Sequence, residues 1–182
     1  STTGRIWMDR NLGGSQVATA FNDALSYGDL YQWGRGADGH QCRNSGARNG
    51  PSSLNQPGHP DFLLIQTGST TDDWRNPQNN LLWQGIGGVN NPCPQGFRVP
   101  TEPEFRQERL TWASNTSAGA FNSVLKLPLA GFREQTGAIL LVTEGSPYGF
   151  IWSSTVSSGT TSNRAEAFAY YPDRAYENPY AR

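Results

Sequence analysis

The sequence predicts an α+β fold with two helices, a small antiparallel sheet and long ordered loops. Three observations carry this. Helical signals come early in the chain and strand signals late, without alternation of the two. The composition is rich in Gly (21) and Pro (12) yet holds 12% aromatics, six of them Trp. That mix suits irregular backbone pinned by large side chains and is unlike a disordered chain. The run NPCPQGFRVPTEPEF at residues 91–105 joins a rigid Pro/Gly loop to a helix start.

Each element follows from local chemistry. Residues 4–11 (GRIWMDRN) read as a first strand, with Ile6 and Met8 on one face and Trp7 on the other. Residues 22–34 (NDALSYGDLYQWG) read as a helix burying Leu25, Leu30, Tyr31 and Trp33, although Gly28 weakens its middle. Residues 35–92 are nearly all loop formers, anchored by Phe62, Leu63, Leu64, Trp74, Leu81, Leu82 and Trp83. Such a length without periodicity is uncommon in a compact domain and often functional. The second helix opens at Thr101, where Thr101 and Glu104 have capping-box spacing. Pro103 falls in the first turn, where a missing N–H costs nothing, and Phe105 and Trp112 share one face. Strands follow at 125–133 (LKLPLAGFR), 138–142 (AILLV), 148–154 (YGFIWSS) and 164–170 (RAEAFAY), punctuated by turn residues as in a meander. No repeat or linker divides residues 1–182, which read as a single domain.

The net charge of −1 gives no electrostatic case for nucleic acid or an anionic membrane. No apolar run is long enough to span a bilayer. The chain opens on Ser1 with no signal peptide, as a mature or excised segment does. Lys126 is the single lysine beside thirteen arginines, whose planar guanidinium groups suit fixed hydrogen-bond networks. Cys42 and Cys93 either pair, closing a long loop worth about 4 kcal/mol, or remain two free thiols.

Several blocks together resemble the Fibrobacter succinogenes major paralogous domain. They are GRIWMDRNLG (4–13), YGDLYQWGRGADGHQC (27–42), QPGHPDF (56–62), WRNPQNNLLWQG (74–85), NNPCPQGFRVPTEPEF (90–105), LKLPLAGFR (125–133) and IWSST (151–155). The resemblance implies a C-type-lectin-like fold, in the variant shared with formylglycine-generating enzymes and variable receptor proteins. It also implies a secreted or cell-surface location, and more a scaffold than a reaction. The family's chains usually run on into a closing strand of the type GFSVRC, whose cysteine would partner Cys93. This sequence stops at Arg182. Cys93 is then free or paired with Cys42; either the closing segment is cut away, or it lies outside this sequence, or a neighbouring subunit supplies a strand to the unfilled sheet edge.

The run from Gly34 to Gly39 spells G-x-G-x-x-G but lacks the preceding strand and reads as a turn. His40, Cys42 and His59 match no common zinc spacing. Asp38, Asp61, Asp72 and Asp73 lie in loops rich in oxygen donors and are candidates for a structural calcium ion, an expectation the lectin-like resemblance strengthens. No G-x-S-x-G elbow appears, and no cysteine pair follows Cys93, which speaks against formylglycine-generating activity. Asn115 heads an N-x-S sequon, and Ser153–Ser162 is a Ser/Thr run open to O-glycans. The closing stretch AYYPDRAYENPYAR (169–182) is dense in Tyr, Asn and Arg, as antibody contact loops are. The resemblance places a ligand-binding surface there, so Tyr170, Tyr171, Asp173, Arg174, Tyr176, Asn178 and Tyr180 are the expected contacts.

These readings together imply a non-enzymatic recognition or structural module, outside the cell or on its surface. Its partner would be a protein, a glycan or another copy of itself, with assembly into a filament by strand complementation as the concrete form. A calcium-assisted glycan binder and a divergent enzyme on the formylglycine-generating scaffold are the alternatives.

Overall fold

A computed structural model of the chain describes residues 1–65, 72–140, 148–158 and 164–182. In chain order the elements are a 3-10 turn (Ala24–Ser26), β1 (Ala47–Asn49), β2 (Phe62–Leu64), α1 (Glu102–Arg109), α2 (Ser117–Asn122), β3 (Phe132–Arg133), β4 (Ile139–Leu140), β5 (Gly149–Val156), β6 (Arg164–Tyr170) and β7 (Ala175–Ala181). Two helices and small sheets make this an α+β chain.

The helix α1 forms where its capping chemistry places it. The Thr101 N–H donates to Glu104 Oε2 at 2.8 Å, closing the carboxylate arm of the box. Arg98 then grips the same carboxylate with both terminal nitrogens, at 2.8 and 2.6 Å. These Arg98 bonds, with the Thr101 N–H, hold the Glu104 carboxyl down at about 2. A depressed carboxyl pKa contributes stability that is complete above the unfolded value of 4.5 and lost as pH falls through about 2. Arg98→Ala is therefore expected to cost roughly 2 kcal/mol at pH 7. In thermal melts, the gap between the variant and the parent should close as pH drops from 4.5 towards 2.

The main sheet runs β5–β6–β7, antiparallel throughout. Its central strand β6 alternates strictly. Phe168 and Tyr170 face one side and pack with Phe105, Leu125, Leu127 and Leu129 below α1. Ala165, Ala167 and Ala169 face the other side, where Trp152 and Val156 of β5 meet Trp33, Trp83 and Val99. The two-residue turn Pro172-Asp173 links β6 to β7, and the Tyr171 N–H donates to the Arg174 carbonyl at 2.7 Å.

Residues 175–181, expected as surface loop, are instead a strand paired along its whole length with β6. The carbonyls of Arg164 and Glu166 turn towards β5, accepting from the Ser157 N–H and the Ser153 hydroxyl. Ala165, Ala167 and Ala169 therefore bond β7 through Tyr180, Asn178 and Tyr176. Glu177 and Pro179 point their backbones outward. Proline is tolerated there because an outer edge needs no N–H.

Other expectations are corrected. Residues 4–11 form no strand, and Ile6 is 87% exposed. The helix expected over 22–34 shrinks to one turn. Gly28 sits at φ +69° with no room for a Cβ against the Leu12 carbonyl, and the Asp29 N–H donates to that carbonyl at 2.8 Å. A tertiary contact thus ends the helix that local pattern would continue. α2 was not anticipated. It is capped by the Thr116 hydroxyl, which accepts from the Gly119 N–H. In 125–133 the leucines at 125, 127 and 129 are buried, but only Phe132–Arg133 form a strand, paired with β4, beside an isolated bridge from Gly131 to Gly149. Of 138–142, Ile139 and Leu140 are strand and 141–142 lie outside the described residues. The strands at 148–154 and 164–170 form as β5 and β6.

The long middle stretch folds as packed loops. A short parallel pair joins β1 to β2. Trp74 is wholly buried, and its Nε1–H donates to the Trp33 carbonyl at 2.6 Å. Phe62, Leu63, Leu82 and Trp83 are buried with it, whereas Leu81 is 70% exposed. Arg35 is the polar hub. It bonds Asp38 through Nε, Gln32 Oε1 and the Asp61 carbonyl through Nη1, and the His59 carbonyl through Nη2, all within 2.9 Å.

Candidate functional site

Six half-buried rings gather beside the β5–β7 sheet. Phe150 on β5 lies 5.0 Å from Tyr180 on β7, edge to face, across the small alanines of β6. Phe132 and Tyr148 adjoin Phe150 at 4.8 and 5.8 Å. Tyr171 and Tyr176 stack nearly parallel at 5.7 Å, and Tyr171 reaches Tyr148 at 5.8 Å. The Arg174 guanidinium covers Tyr171 at 5.1 Å and Tyr176 at 5.8 Å. Alternation explains the grouping: Tyr176, Asn178 and Tyr180 share one face of β7, and the short turn brings Tyr171 and Arg174 to its end.

The electrostatics of the cluster are set by its own hydroxyls. Burial pushes the Tyr171 phenol well above its usual range, and it raises Tyr180 as well. The bond with Tyr171, whose hydroxyl lies 3.5 Å away, draws Tyr176 down. Such a surface offers stacking area and oriented hydroxyls at low side-chain entropy.

Beside the cluster runs a recess of about 940 Å³. It is lined by residues of the N-terminal segment (Ile6, Trp7), of the loop before α1 (Phe97, Val99) and by Phe150, Ile151 and Trp152 of β5. Cys93 also lines it, and burial pushes this thiol up to about 11, which favours the protonated form at neutral pH.

The structure sorts the expected contacts. Tyr171, Arg174, Tyr176 and Tyr180 come together. Asp173 is exposed on the turn beside Arg174, and Asn178 is exposed on β7. Tyr170 does not join them. It is fully buried on the opposite face, with its hydroxyl donating to the Pro128 carbonyl at 2.7 Å. The Cys42–Cys93 disulfide is absent: both thiols are free, Cys42 exposed and Cys93 half-buried.

The four aspartates are spread over separate partners. Asp38 pairs with Arg35 and His40, Asp61 with Arg48, Asp72 with Arg164, and Asp73 with Arg182. Burial raises Asp73 to about 6 against the pull of Arg182 at 2.8 Å. Among the described residues no group of three acidic, His or Cys side chains is placed to hold a metal ion. Asn115 is exposed, but its Nδ2 donates to the Ala175 carbonyl at 2.9 Å while Oδ1 accepts from Arg109 at 2.7 Å. Its amide thus clamps the start of β7. Of the run 153–162, Ser153 to Val156 belong to β5, and residues 159–162 lie outside the described residues.

Sequence reasoning missed Phe132, Tyr148 and Phe150 as members of the aromatic face, and Trp7 and Trp152 as lining of the recess. The period-two spacing of Tyr148, Phe150 and Trp152 was the available signal, since alternate residues of a strand share a face. Compared with protein families, curated proteins and solved structures, the chain matches none. Among the described residues no helix is long and apolar enough to cross a membrane.

Proposed function

We propose that this chain is a non-enzymatic recognition or structural module of C-type-lectin-like architecture, acting outside the cell or on its surface. It offers an aromatic face to a protein partner or to another copy of itself, and assembles into larger structures by strand complementation. One observation carries the reading: Tyr171, Tyr176 and Tyr180 converge with Phe150 and Arg174 on one face. Aromatic and Arg side chains of this kind dominate contact energies at interfaces.

Sedimentation over a wide concentration range tests it. The parent protein should associate, and Tyr171→Ser with Tyr176→Ser should weaken that association about tenfold or more with little change in melting temperature. A strict monomer at high concentration removes the self-assembly form. Glycan binding by that monomer, lost in the same variants, would move the assignment to a sugar ligand.

A further inference from the structure

We propose that the recess beside β5 receives one extended, uncharged segment of a partner polypeptide, which continues the sheet by bonding to the Phe150 carbonyl and to the N–H and carbonyl of Trp152. This rests on the recognition reading above and names the site and the chemistry of the partner.

The two outer edges of the sheet are treated differently. On β7 the outward positions carry Pro179, which has no N–H, and Glu177, whose carboxylate holds Arg109 at 3.0 Å. Proline and charge are the usual protections of an exposed edge. The outward edge of β5 has neither. At its start the Gly131 N–H donates to the Tyr148 carbonyl in a parallel bridge with Gly149. At its far end the Ser154 N–H donates to the Pro100 carbonyl at 2.8 Å. Residues 150 and 152 share the outward phase of Tyr148. Among the described residues, nothing bonds the Phe150 carbonyl or either backbone group of Trp152 from that side. A row of peptide groups without a protein partner is a ready template for an added strand.

The surroundings specify the occupant. Both faces of the vacant strand position are apolar: Trp7, Phe105 and Ile151 on one, Tyr31, Trp83 and Trp152 on the other. A strand covered on both faces is a continuous apolar run. Most of the charges that line the recess are matched internally. Arg5 and Arg98 pair with Glu104, Arg10 with Asp9 and Arg182 with Asp73, while Arg133 donates to Ser45 and to the Gly137 carbonyl. The carboxylates of Asp29 and Glu134, the latter accepting from the Thr136 hydroxyl at 3.2 Å, stand outside these pairs. With Asp9 and Asp73 counted, the five arginines are balanced by five carboxylates, and a recess without net charge complements an uncharged segment. The indole Nε1 of Trp7, which also lines the recess, is buried without a hydrogen-bond partner and would find a carbonyl on such a segment. The volume of about 940 Å³ admits a single strand, whereas the edge of a second folded sheet would not enter.

The test uses the whole chain and three capped peptides, each with a five-residue core of valine and alanine, isoleucine and serine, or phenylalanine and alanine. Two lysines at either end keep them soluble. The readout is amide hydrogen exchange, resolved by residue. At least one peptide should slow exchange at Trp152 about tenfold or more while leaving β7 unchanged. N-methylation of the core amides facing β5 should weaken that binding about tenfold or more, because it keeps the side chains but removes the donors. Equal binding of the methylated peptide, or no protection at Trp152 from any of the three, overturns the proposal. If the protein self-associates in sedimentation yet no peptide protects Trp152, the recess assignment fails and the module reading stands. If a peptide binds and the protein stays monomeric, self-assembly fails and the recess assignment stands.

Discussion

Arg35→Ala should lower stability by about 3–5 kcal/mol, the cost typical of breaking a buried charge network by removing one partner. Arg35 is fully buried, and every one of its nitrogens has a partner. Its loss orphans the carbonyls of His59 and Asp61 and leaves Asp38 facing His40 alone. The guanidinium also lies 5.7 Å from the centre of the Trp74 ring, the most deeply buried anchor of the middle loops. Arg35→Lys should recover little of the loss, since an ammonium cannot reproduce a planar fork that reaches four acceptors. Thermal melts should fall by roughly 10–15 °C in a chain of this size. A shift of only a degree or two would show that the network is dispensable.

Gly149→Ala should cost about 3 kcal/mol, the upper end for overpacking a filled core. A Cβ at position 149 would overlap the ring and hydroxyl of Tyr170, its cross-strand partner. The ring cannot retreat, because it is wholly buried and its hydroxyl is fixed to the Pro128 carbonyl at 2.7 Å. A double-mutant cycle with Tyr170→Leu checks the cause. Once the ring is removed, adding the methyl group should cost far less, giving a coupling of about 2 kcal/mol. Additive effects would place the damage elsewhere.

These two positions also show what the sequence could and could not reveal. Arg35 lay inside a run that spelled a phosphate-binding loop. Beside Gln32 and Asp38, three residues away, its partners are two backbone carbonyls more than twenty residues on, and no local pattern encodes those. Helix α1 was legible because a capping box is settled within four residues. The same holds for β5 and β6, whose alternating apolar side chains pack against both cores. The helix over 22–34 failed for the opposite reason, since its end is set by the approach of Leu12 to Gly28. β7 was hidden by Pro179 and Asn178, residues that argue against a strand unless it lies at an edge. Its Tyr176, Asn178 and Tyr180 still carried the period of two. The tyrosines are thus legible as a group even where the strand that aligns them is not. Tyr170 was grouped with them by neighbourhood in the chain, although alternation in β6 sends it to the other side.

The position of Pro179 has one more consequence. A ribbon that accepts a newcomer on one flank only is finished after a single addition. Copies joined in this way would line up single file as separate beads, each closed by the next. They would not fuse into an unbroken amyloid-like stack, because the opposite flank offers no matching row of donors.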